Sequence, residues 1–313
     1  MSGREAYGST LLEIGTNKRI VVLDADVSKA TRSCYFSKKY PDRFFNVGIA
    51  EQNLVGVAAG FAITGKIPIA STFAVFLTGK AFDQIRNTVA NSNINVKLVG
   101  THAGITVGED GSSHQAIEDI SLMRTIPGMV VIVPADGNET INALKESVLN
   151  YTGPVYIRLS RYDSPNITSI NDSFQIGRAK IIFKGSDLTI ISSGILLSEA
   201  IKACEKLKNK GIHPTLINLS TIKPLDSATL IKYAKLTKGF VTVEESTKIG
   251  GLFSAVSELL AENYPIPILS VSINDKFGTS GSPEELLKYF NLTAEDIIKK
   301  SLKLLKLKNV KFS

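Results

Sequence analysis

The sequence predicts an α/β protein made of two doubly wound domains, a first domain with a mostly parallel sheet and a smaller second domain. Two observations carry this prediction. Short apolar runs rich in β-branched residues alternate with longer amphipathic stretches in the first half, and a shorter set of the same kind follows a polar break. The 313 residues are 43% hydrophobic and 21% charged, which excludes disordered and fibrous chains and allows about two domains.

Six apolar runs of the first half are predicted to be strands buried on both faces, as parallel strands usually are. They cover residues 20–23, 43–47, 67–71, 95–100, 130–134 and 155–160. Helical patterns lie among them at residues 51–64, 77–92, 113–124 and 137–150. Residues 162–176 contain Pro165 and several Asn, Ser and Asp, so both periods break there. We therefore predict a first domain of residues 1–170.

The second domain, residues 171–313, shows a shorter version of the same alternation. Its strands are predicted near residues 188–192, 215–219, 240–244 and 268–272, and its helices near 197–210 and 250–262. The chain ends in a lysine-rich stretch that contains no acidic residue. We expect its six lysines to form a solvated tail: Lys299, Lys300, Lys303, Lys306, Lys308 and Lys311.

Composition excludes several classes of function. The formal net charge is +7, of which six charges belong to the predicted tail, so the body is near neutral and we expect no nucleic-acid partner. Two cysteines and three histidines are too few for a disulfide framework or a Cys/His zinc site, and we expect no metal site in this chain. No signal-like segment opens the sequence, and its most apolar run, residues 54–64, is too short to span a membrane. The expected location is therefore the cytoplasm.

Polar and aromatic side chains follow most of the predicted strands of the first domain. They are Asp24 and Asp26 after the first strand, Glu51 after the second, Phe73 and Phe76 after the third, His102 after the fourth and Arg161 after the sixth. Ligands of open α/β sheets bind beyond the carboxyl ends of the strands. The sequence thus predicts one binding site at this edge.

Glu51 follows a glycine turn at Gly48 and is predicted to lie in the first turn of a helix. The helix dipole stabilises a carboxylate there, so a purely structural role fits its position as well. The letters Gly-Ile-Ala-Glu-Gln around it resemble the activating-glutamate motif of thiamine-diphosphate enzymes of the transketolase type. The resemblance implies that Glu51 is catalytic and hydrogen-bonds a ring nitrogen of the cofactor's aminopyrimidine, and that Gly48 and Ile49 border the cofactor.

Phe73 and Phe76 are three residues apart, a spacing that core aromatic residues of a helix also have. Their stretch resembles the Thr-Phe-x-x-Phe segment of transketolases. The resemblance implies that Phe73 stacks on the aminopyrimidine with Phe76 beside it. That family often has a further aromatic residue where this chain has Gly79, so we expect a more open pocket there.

Residues 101–120 combine three glycines with Ser112 and Gln115, whose spacing is that of a capping box. They predict a loop followed by a helix, with His114 at the helix N-terminus. The dipole would disfavour a charged imidazole there, although a structural histidine satisfied by its neighbours remains an alternative.

The letters Gly-Glu-Asp-Gly-x-x-His-Gln in this loop resemble the transketolase segment that contacts the donor sugar. The resemblance implies that Asp110 binds a substrate hydroxyl and that His114 bonds the donor oxygens and takes part in catalysis. It also implies that His102 binds the phosphate of the substrate.

Arginine suits phosphate recognition because its guanidinium group presents paired donors. Arg161 and Arg4 match two phosphate-binding arginines of the family, although either could form a surface ion pair instead. Asp26 matches an aspartate that the family places near the cofactor, where it holds neighbouring loops. Ala30 stands where the family often has a phosphate-binding serine. Three neighbours could replace that serine: Ser28, Thr31 and Arg32.

The resemblance covers nearly the whole chain. Residues 1–170 resemble the pyrimidine-binding domain of these thiamine-diphosphate enzymes, and residues 177–313 resemble the transketolase C-terminal domain. The Gly-Asp-Gly type of turn that would bind diphosphate and its metal is missing from the sequence. The resemblance therefore implies a separate N-terminal partner subunit, which would hold the diphosphate and most of the contacts to Mg²⁺ or Ca²⁺.

The implied function is that of the C-terminal subunit of a split transketolase. It would transfer a two-carbon ketol unit from a ketose phosphate to an aldose phosphate through a covalent thiamine-diphosphate adduct, in a complex with two copies of each subunit. Two alternatives stay open. One is the beta subunit of another thiamine-dependent enzyme, of the 2-oxoacid dehydrogenase or deoxyxylulose-phosphate synthase type. The other is a non-catalytic relative that binds sugar phosphate or the cofactor.

Overall fold

The computed structural model describes residues 1–307, in which strands and helices alternate along most of the chain. The strands are β1 (Ile20–Asp24), β2 (Phe44–Asn46), β3 (Ile67–Phe73), β4 (Lys97–Thr101), β5 (Val130–Ile132), β6 (Val155–Arg158), β7 (Lys180–Phe183), β8 (Thr189–Ser192), β9 (Thr215–Asn218), β10 (Thr221–Lys223), β11 (Phe240–Thr247) and β12 (Ile268–Ile273). The α-helices are α1 (Gly3–Ile14), α2 (Ser28–Thr31), α3 (Cys34–Lys39), α4 (Glu51–Ile63), α5 (Ala74–Lys80), α6 (Asp119–Thr125), α7 (Gly137–Lys145), α8 (Leu197–Lys208), α9 (Ser227–Leu236), α10 (Leu252–Asn263), α11 (Pro283–Tyr289) and α12 (Ala294–Leu307). Two π-helical segments, Gln84–Ala90 and Glu146–Asn150, follow α5 and α7.

The strands form two sheets. The seven-stranded first sheet has the order β10-β5-β6-β4-β3-β1-β2, and all its pairings are parallel except that of β10 with β5. The five-stranded second sheet has the order β12-β11-β8-β9-β7, with β7 antiparallel to β9. The predicted α/β class with two mostly parallel sheets is confirmed. Because β10 comes from the second half of the chain but joins the first sheet, the domain boundary near residue 170 stays a prediction.

Apolar side chains fill both faces of the first sheet. On one face α1 and α7 pack on each other and on the sheet, with Tyr7 and Leu11 of α1 fully buried. On the other face α4 covers the sheet through Leu54, and the second-domain helices α9 and α10 extend the same cluster through Leu230 and Leu252. Each such leucine contributes about 1.5–3 kcal/mol on burial. This packing fixes the helix that begins at Glu51 against the strands whose ends carry the candidate site.

The helix predicted over residues 113–124 is wrong at its start, because α6 begins at Asp119. Residues 111–118 form turns and bends instead. The side chain of Gln115 is not free for capping, since its Nε2 donates to the backbone oxygens of Ile105, Gly108 and Thr279. Ser112 and Gln115 therefore do not form a capping box, and the amide binds the loop to the second domain.

The lysine-rich end differs from the predicted solvated tail as far as Lys306. Lys299, Lys300, Lys303 and Lys306 lie on α12, which buries Ile297, Ile298 and Leu304. An amphipathic helix explains this result, because the apolar residues between the lysines face the domain. Lys308 and Lys311 lie outside the described residues.

Several elements of the described chain were not predicted from the sequence. They are β7, β10, α1, α2, α3, α9, α11 and α12. Among residues 1–307 no helix combines the length and apolar character that crossing a membrane requires.

Candidate active site

Glu51 is the first residue of α4 and lies against a turn at Gly48, whose φ of +74° a side chain would strain. Its side chain is only 5% exposed, whereas the neighbouring Ile49 is 79% exposed. Lys80, at the end of α5, donates to Glu51 Oε2 at 3.2 Å. The structure thus places the carboxylate that we predict to be activating beside the exposed side chain of Ile49. Lys80 is its ion-pair partner.

Phe73 and Phe76 form an aromatic wall that two histidines extend. The two phenylalanine rings stack with centroids 6.2 Å apart. The His102 ring lies 4.1 Å from Phe73, and the His114 ring lies edge-on at 5.3 Å from Phe76. Four ring-bearing residues that were predicted from separate motifs are therefore brought together.

His114 reaches this wall from a turn rather than from a helix. Its amide donates to the oxygen of Gly111, and its Nδ1 lies 3.0 Å from Ser113 Oγ. The predicted dipole effect on His114 is wrong, because α6 begins five residues later, at Asp119. Its nearness to the wall does not depend on that effect.

A cluster of arginines borders the buried His102. Burial, followed by the charges of Arg4 and Arg161, lowers the pKa of His102 to about 3, so its imidazole is neutral near pH 7. Arg161 Nη1 donates to Asp110 Oδ2 at 3.1 Å, and both side chains are half-exposed. All the residues predicted to contact the sugar and its phosphate therefore lie at the same edge: Arg4, His102, Asp110, His114 and Arg161.

Asp26 lies at the next strand end, in the loop after β1. Its Oδ1 accepts from Asn46 Nδ2 at 2.8 Å, while Asn46 Oδ1 accepts from the amides of Asp26 and Gly48. These bonds join the loops after β1 and β2. Asp26 thus connects to the turn that presents Glu51.

Several residues near the site were not identified from the sequence. Lys80 contacts Glu51 and lies 4.6 Å above the Phe76 ring. Phe76 and Lys80 are four residues apart, a spacing at which side chains of one helix meet, so the sequence could have suggested the contact between Lys80 and the Phe76 ring. Glu245 of the second domain accepts from the Thr106 amide at 2.6 Å. No local signal predicts that contact, since 139 residues separate the two.

The donor set fits an aminopyrimidine ring. A cavity of about 470 Å³ is bordered by Ile49, Glu51 and Lys80, and the phenylalanine wall begins next to it, since Lys80 covers the Phe76 ring. A carboxylate and aromatic faces are the groups that such a heterocycle requires. Within residues 1–307 no group of three or more His, Cys, Asp or Glu side chains could hold a metal ion.

Two family models match the chain: transketolase, pyrimidine binding domain, at residues 1–166, and transketolase, C-terminal domain, at residues 177–297. A protein of Methanocaldococcus jannaschii named for a transketolase C-terminal section is 48% identical, covering 97% of this chain and 96% of the relative. A Clostridium protein named 6-deoxy-6-sulfo-D-fructose transketolase subunit is 41% identical, covering 98% and 95%.

A solved structure described as a split gene transketolase, in an inactive beta4 tetramer, superimposes with a TM-score of 0.90. It is 47% identical in sequence and covers 98% of this chain and 99% of the other. The chain spans about half the length of the mammalian transketolases that it also matches.

Proposed function

The chain belongs to the transketolase family, as its pyrimidine-binding and C-terminal section, and from this premise we propose a function as the C-terminal subunit of a two-subunit transketolase. The family resemblance predicted from the sequence is thereby confirmed. We further propose that the complex transfers a two-carbon ketol unit from a ketose phosphate to an aldose phosphate. The observation that carries this proposal is the arrangement of Glu51, Phe73, Phe76 and His114 at one edge of the first sheet.

Thiamine diphosphate, when bound, supplies the nucleophilic carbon and the electron sink of ketol transfer. Phe73 and Phe76 would hold its aminopyrimidine, and Glu51 would hold a proton at a ring nitrogen. The Glu51 side chain is only 5% exposed and borders the cavity in which the ring would lie, so the carboxylate would meet the ring from a fixed position. Gly48, Ile49 and Asp26 would support the same ring from the loops after β1 and β2.

The substrate side of the site consists of groups that bind oxygen. His114 would move a proton to or from the oxygen of the reacting carbon, and Asp110 would accept from a hydroxyl beside it. Arg4, His102 and Arg161 would bind the terminal phosphate, with the neutral imidazole acting as a hydrogen-bonding group rather than as a charge.

The chain would need a partner subunit for the diphosphate half of the cofactor and its Mg²⁺ or Ca²⁺. Helix α4 and the loop before it offer a surface for that partner. Ile49 in the loop and Ile63 at the helix end are largely exposed, and a Cβ at Gly56 or Gly60 would meet no described atom outside the helix's own backbone within 4 Å. Close backbone approach favours such glycine positions. We propose two copies of each subunit in the complex.

The alternatives named above have less support. The relatives of nearly full coverage are named for transketolase sections or subunits rather than for 2-oxoacid dehydrogenase or deoxyxylulose-phosphate synthase. The name of the Clostridium relative specifies a sulfonated sugar, so sulfonate is the second terminal anion that we compare with phosphate. A cytoplasmic location and a role in the pentose phosphate pathway stay predictions.

The first experiment is to isolate the chain from the cells that produce it, record the mass of the intact complex and assay ketol transfer with thiamine diphosphate and Mg²⁺. We expect a second subunit to co-purify and activity to depend on added cofactor. A chain that is recovered alone and binds sugar phosphate without turnover would instead support the non-catalytic relative.

A further inference from the structure

A third guanidinium group lies next to the two arginines already assigned to the phosphate. Arg32 follows α2, and Arg4 Nη1 donates to the backbone oxygen of Ala30, two residues before Arg32. Arg32 Nε lies 2.5 Å from a carboxylate oxygen of Glu5, the residue next to Arg4. Burial lowers the pKa of Arg4, and the positive charges of Arg32 and Arg161 lower it further, in agreement with these contacts. Arg4, Arg32 and Arg161 thus border one small region.

The hydroxyl groups nearest to Arg32 are engaged elsewhere. Thr31 Oγ1 and Ser33 Oγ each donate to Asp24 Oδ2 at 2.8 Å, and both side chains are fully buried. Ala30 has no hydroxyl, and its backbone oxygen accepts from Arg4 Nη1 at 3.3 Å. Among Ser28, Thr31 and Arg32, the three side chains that could replace a phosphate-binding serine, Arg32 is the charged one. It therefore adds a positive charge next to Arg4 and Arg161.

The backbone holds Arg32 in an uncommon conformation. Its φ is +71°, in the left-handed region that non-glycine residues rarely adopt. One hydrogen bond and one ion pair hold the side chain: Nη1 donates to the backbone oxygen of Lys29 at 3.0 Å, and Nε lies 2.5 Å from Glu5 Oε1 without hydrogen-bond geometry. Tyr35 in turn donates to the other oxygen of Glu5 at 2.8 Å. Strained residues of this kind cluster at binding sites, where the strain pre-organises a contact.

The charges of the cluster do not cancel. Arg32 pairs with Glu5 and Arg161 pairs with Asp110, so within residues 1–307 Arg4 has no acidic partner of its own. The Nε of Arg4 is buried and has no hydrogen-bond partner among the described residues. His102 adds no compensating negative charge. The cluster therefore has an excess positive charge and an unused donor, which are the conditions for binding an oxyanion.

We propose that Arg32 is a specificity-determining residue that binds the terminal tetrahedral oxyanion of the sugar substrate together with Arg4 and Arg161. This inference rests on the proposed ketol transfer for the identity of the sugar. Binding by Arg32 stabilises ground state and transition state alike, since the terminal anion lies away from the reacting carbon. Its removal should therefore raise KM and leave kcat nearly unchanged.

The test compares Arg32→Gln with Lys29→Gln in the complex with the partner subunit. Both variants remove one positive charge from the same short segment, but the Lys29 side chain is exposed and only its backbone contacts Arg32. For Arg32→Gln we expect KM for D-xylulose 5-phosphate to rise about 10- to 100-fold, the worth of one charged hydrogen bond. KM for the uncharged donor L-erythrulose should change less than about 2-fold, and Lys29→Gln should behave as the wild type. Equal loss with the charged and the uncharged donor would overturn the assignment.

A binding measurement separates this inference from the proposed reaction. Calorimetric titration of the purified protein with D-ribose 5-phosphate, D-ribose and 6-deoxy-6-sulfo-D-fructose needs no turnover. Selective weakening of a phosphate or sulfonate ligand in Arg32→Gln supports the oxyanion site even if ketol transfer is absent. If ketol transfer occurs but Arg32→Gln binds all three ligands like the wild type, the inference fails and the proposed function stands.

Discussion

The two sheets have the same parallel architecture but use their carboxyl ends differently. At the first sheet Glu51 has Lys80 as its ionic partner, and Arg161 and Asp110 remain half-exposed. At the second sheet Glu244 and Glu245 follow one another on β11, and both are buried. Oxygens of Glu244 accept from the amides of Leu252 and Phe253 at the start of α10, although burial raises the pKa of Glu244 to about 7.

The difference shows that the carboxyl ends of the first sheet remain accessible to ligands, whereas the carboxylates of the second sheet support the loops of the first. Glu245 accepts from Thr106, and a Cβ at Gly104 would lie 2.3 Å from the Glu245 carboxyl carbon. The loop that leads to His114 therefore packs directly on a carboxylate of the second domain. Acidic residues of the first edge should affect turnover, and those of the second edge should affect stability.

Glu51→Ala should give the largest effect on activity. General acid–base catalysis contributes about 10²–10⁴-fold, so we expect kcat for ketol transfer to fall about 10³-fold, or ~4 kcal/mol in the barrier. The midpoint of thermal unfolding should change by only a few degrees, because Glu51 has one ionic partner and lies at a helix end. Steady-state kinetics and calorimetry on the same preparation check this, and unchanged turnover would remove the activating role.

Glu245→Ala should show the opposite pattern. It leaves the Thr106 amide without its acceptor and removes a charge that helps to balance the buried Arg158, so unfolding free energy should fall by about 3 kcal/mol. Glu258→Ala is the matched control, because the Glu258 side chain is 63% exposed and Arg124 keeps its bonds to the backbone oxygens of Gly250 and Gly251, so the loss should be less than about 1 kcal/mol. Urea unfolding measures both. Equal effects of the two variants would contradict the supporting role of the second domain.

His114→Ala should lower kcat about 100-fold, which corresponds to ~2.7 kcal/mol. The reason is the loss of a proton-transfer group next to the aromatic wall, where the ring lies 5.3 Å from Phe76. His213→Ala provides a control, since His213 is exposed in the second domain and should leave turnover unchanged. A parallel loss in both variants would mean that His114 acts only through general stability.

The sequence predicted the first sheet better than the loop that completes its site. Strands such as β1 and β3 are buried on both faces, so their apolar runs are visible without any knowledge of the rest of the chain. The spacing of Ser112 and Gln115 gave a wrong helix start, because Gln115 instead bonds Thr279 in the second domain. Lys80 was missed for a similar reason: its contact with Glu51 joins two helices. Contacts between distant segments leave no periodic signal in sequence.

His102→Asn should have the smallest of these effects and a defined pH dependence. Asparagine tolerates the positive φ of +55° at this position and does not titrate. Burial and then the nearby arginines lower the pKa of His102 to about 3 in the folded chain, whereas an unfolded histidine titrates near 6.5. The unfolded state therefore binds a proton first as the pH falls. The stability that neutral His102 provides is complete above about pH 6.5 and is lost on acidification toward pH 3.

We expect the free energy of unfolding, measured in urea at pH 7.5 and pH 5, to depend on pH more strongly in the wild type than in His102→Asn. Wild type should lose about 2 kcal/mol more than His102→Asn over that interval, since only the wild type has this linked proton. Groups that titrate in both proteins cancel in the comparison. An equal loss in both would mean that the folded chain accepts a charged imidazole among the arginines. In that case the open edge of the first sheet would be less positive than its geometry indicates, and Arg32 would have to bind its oxyanion with less help from its neighbours.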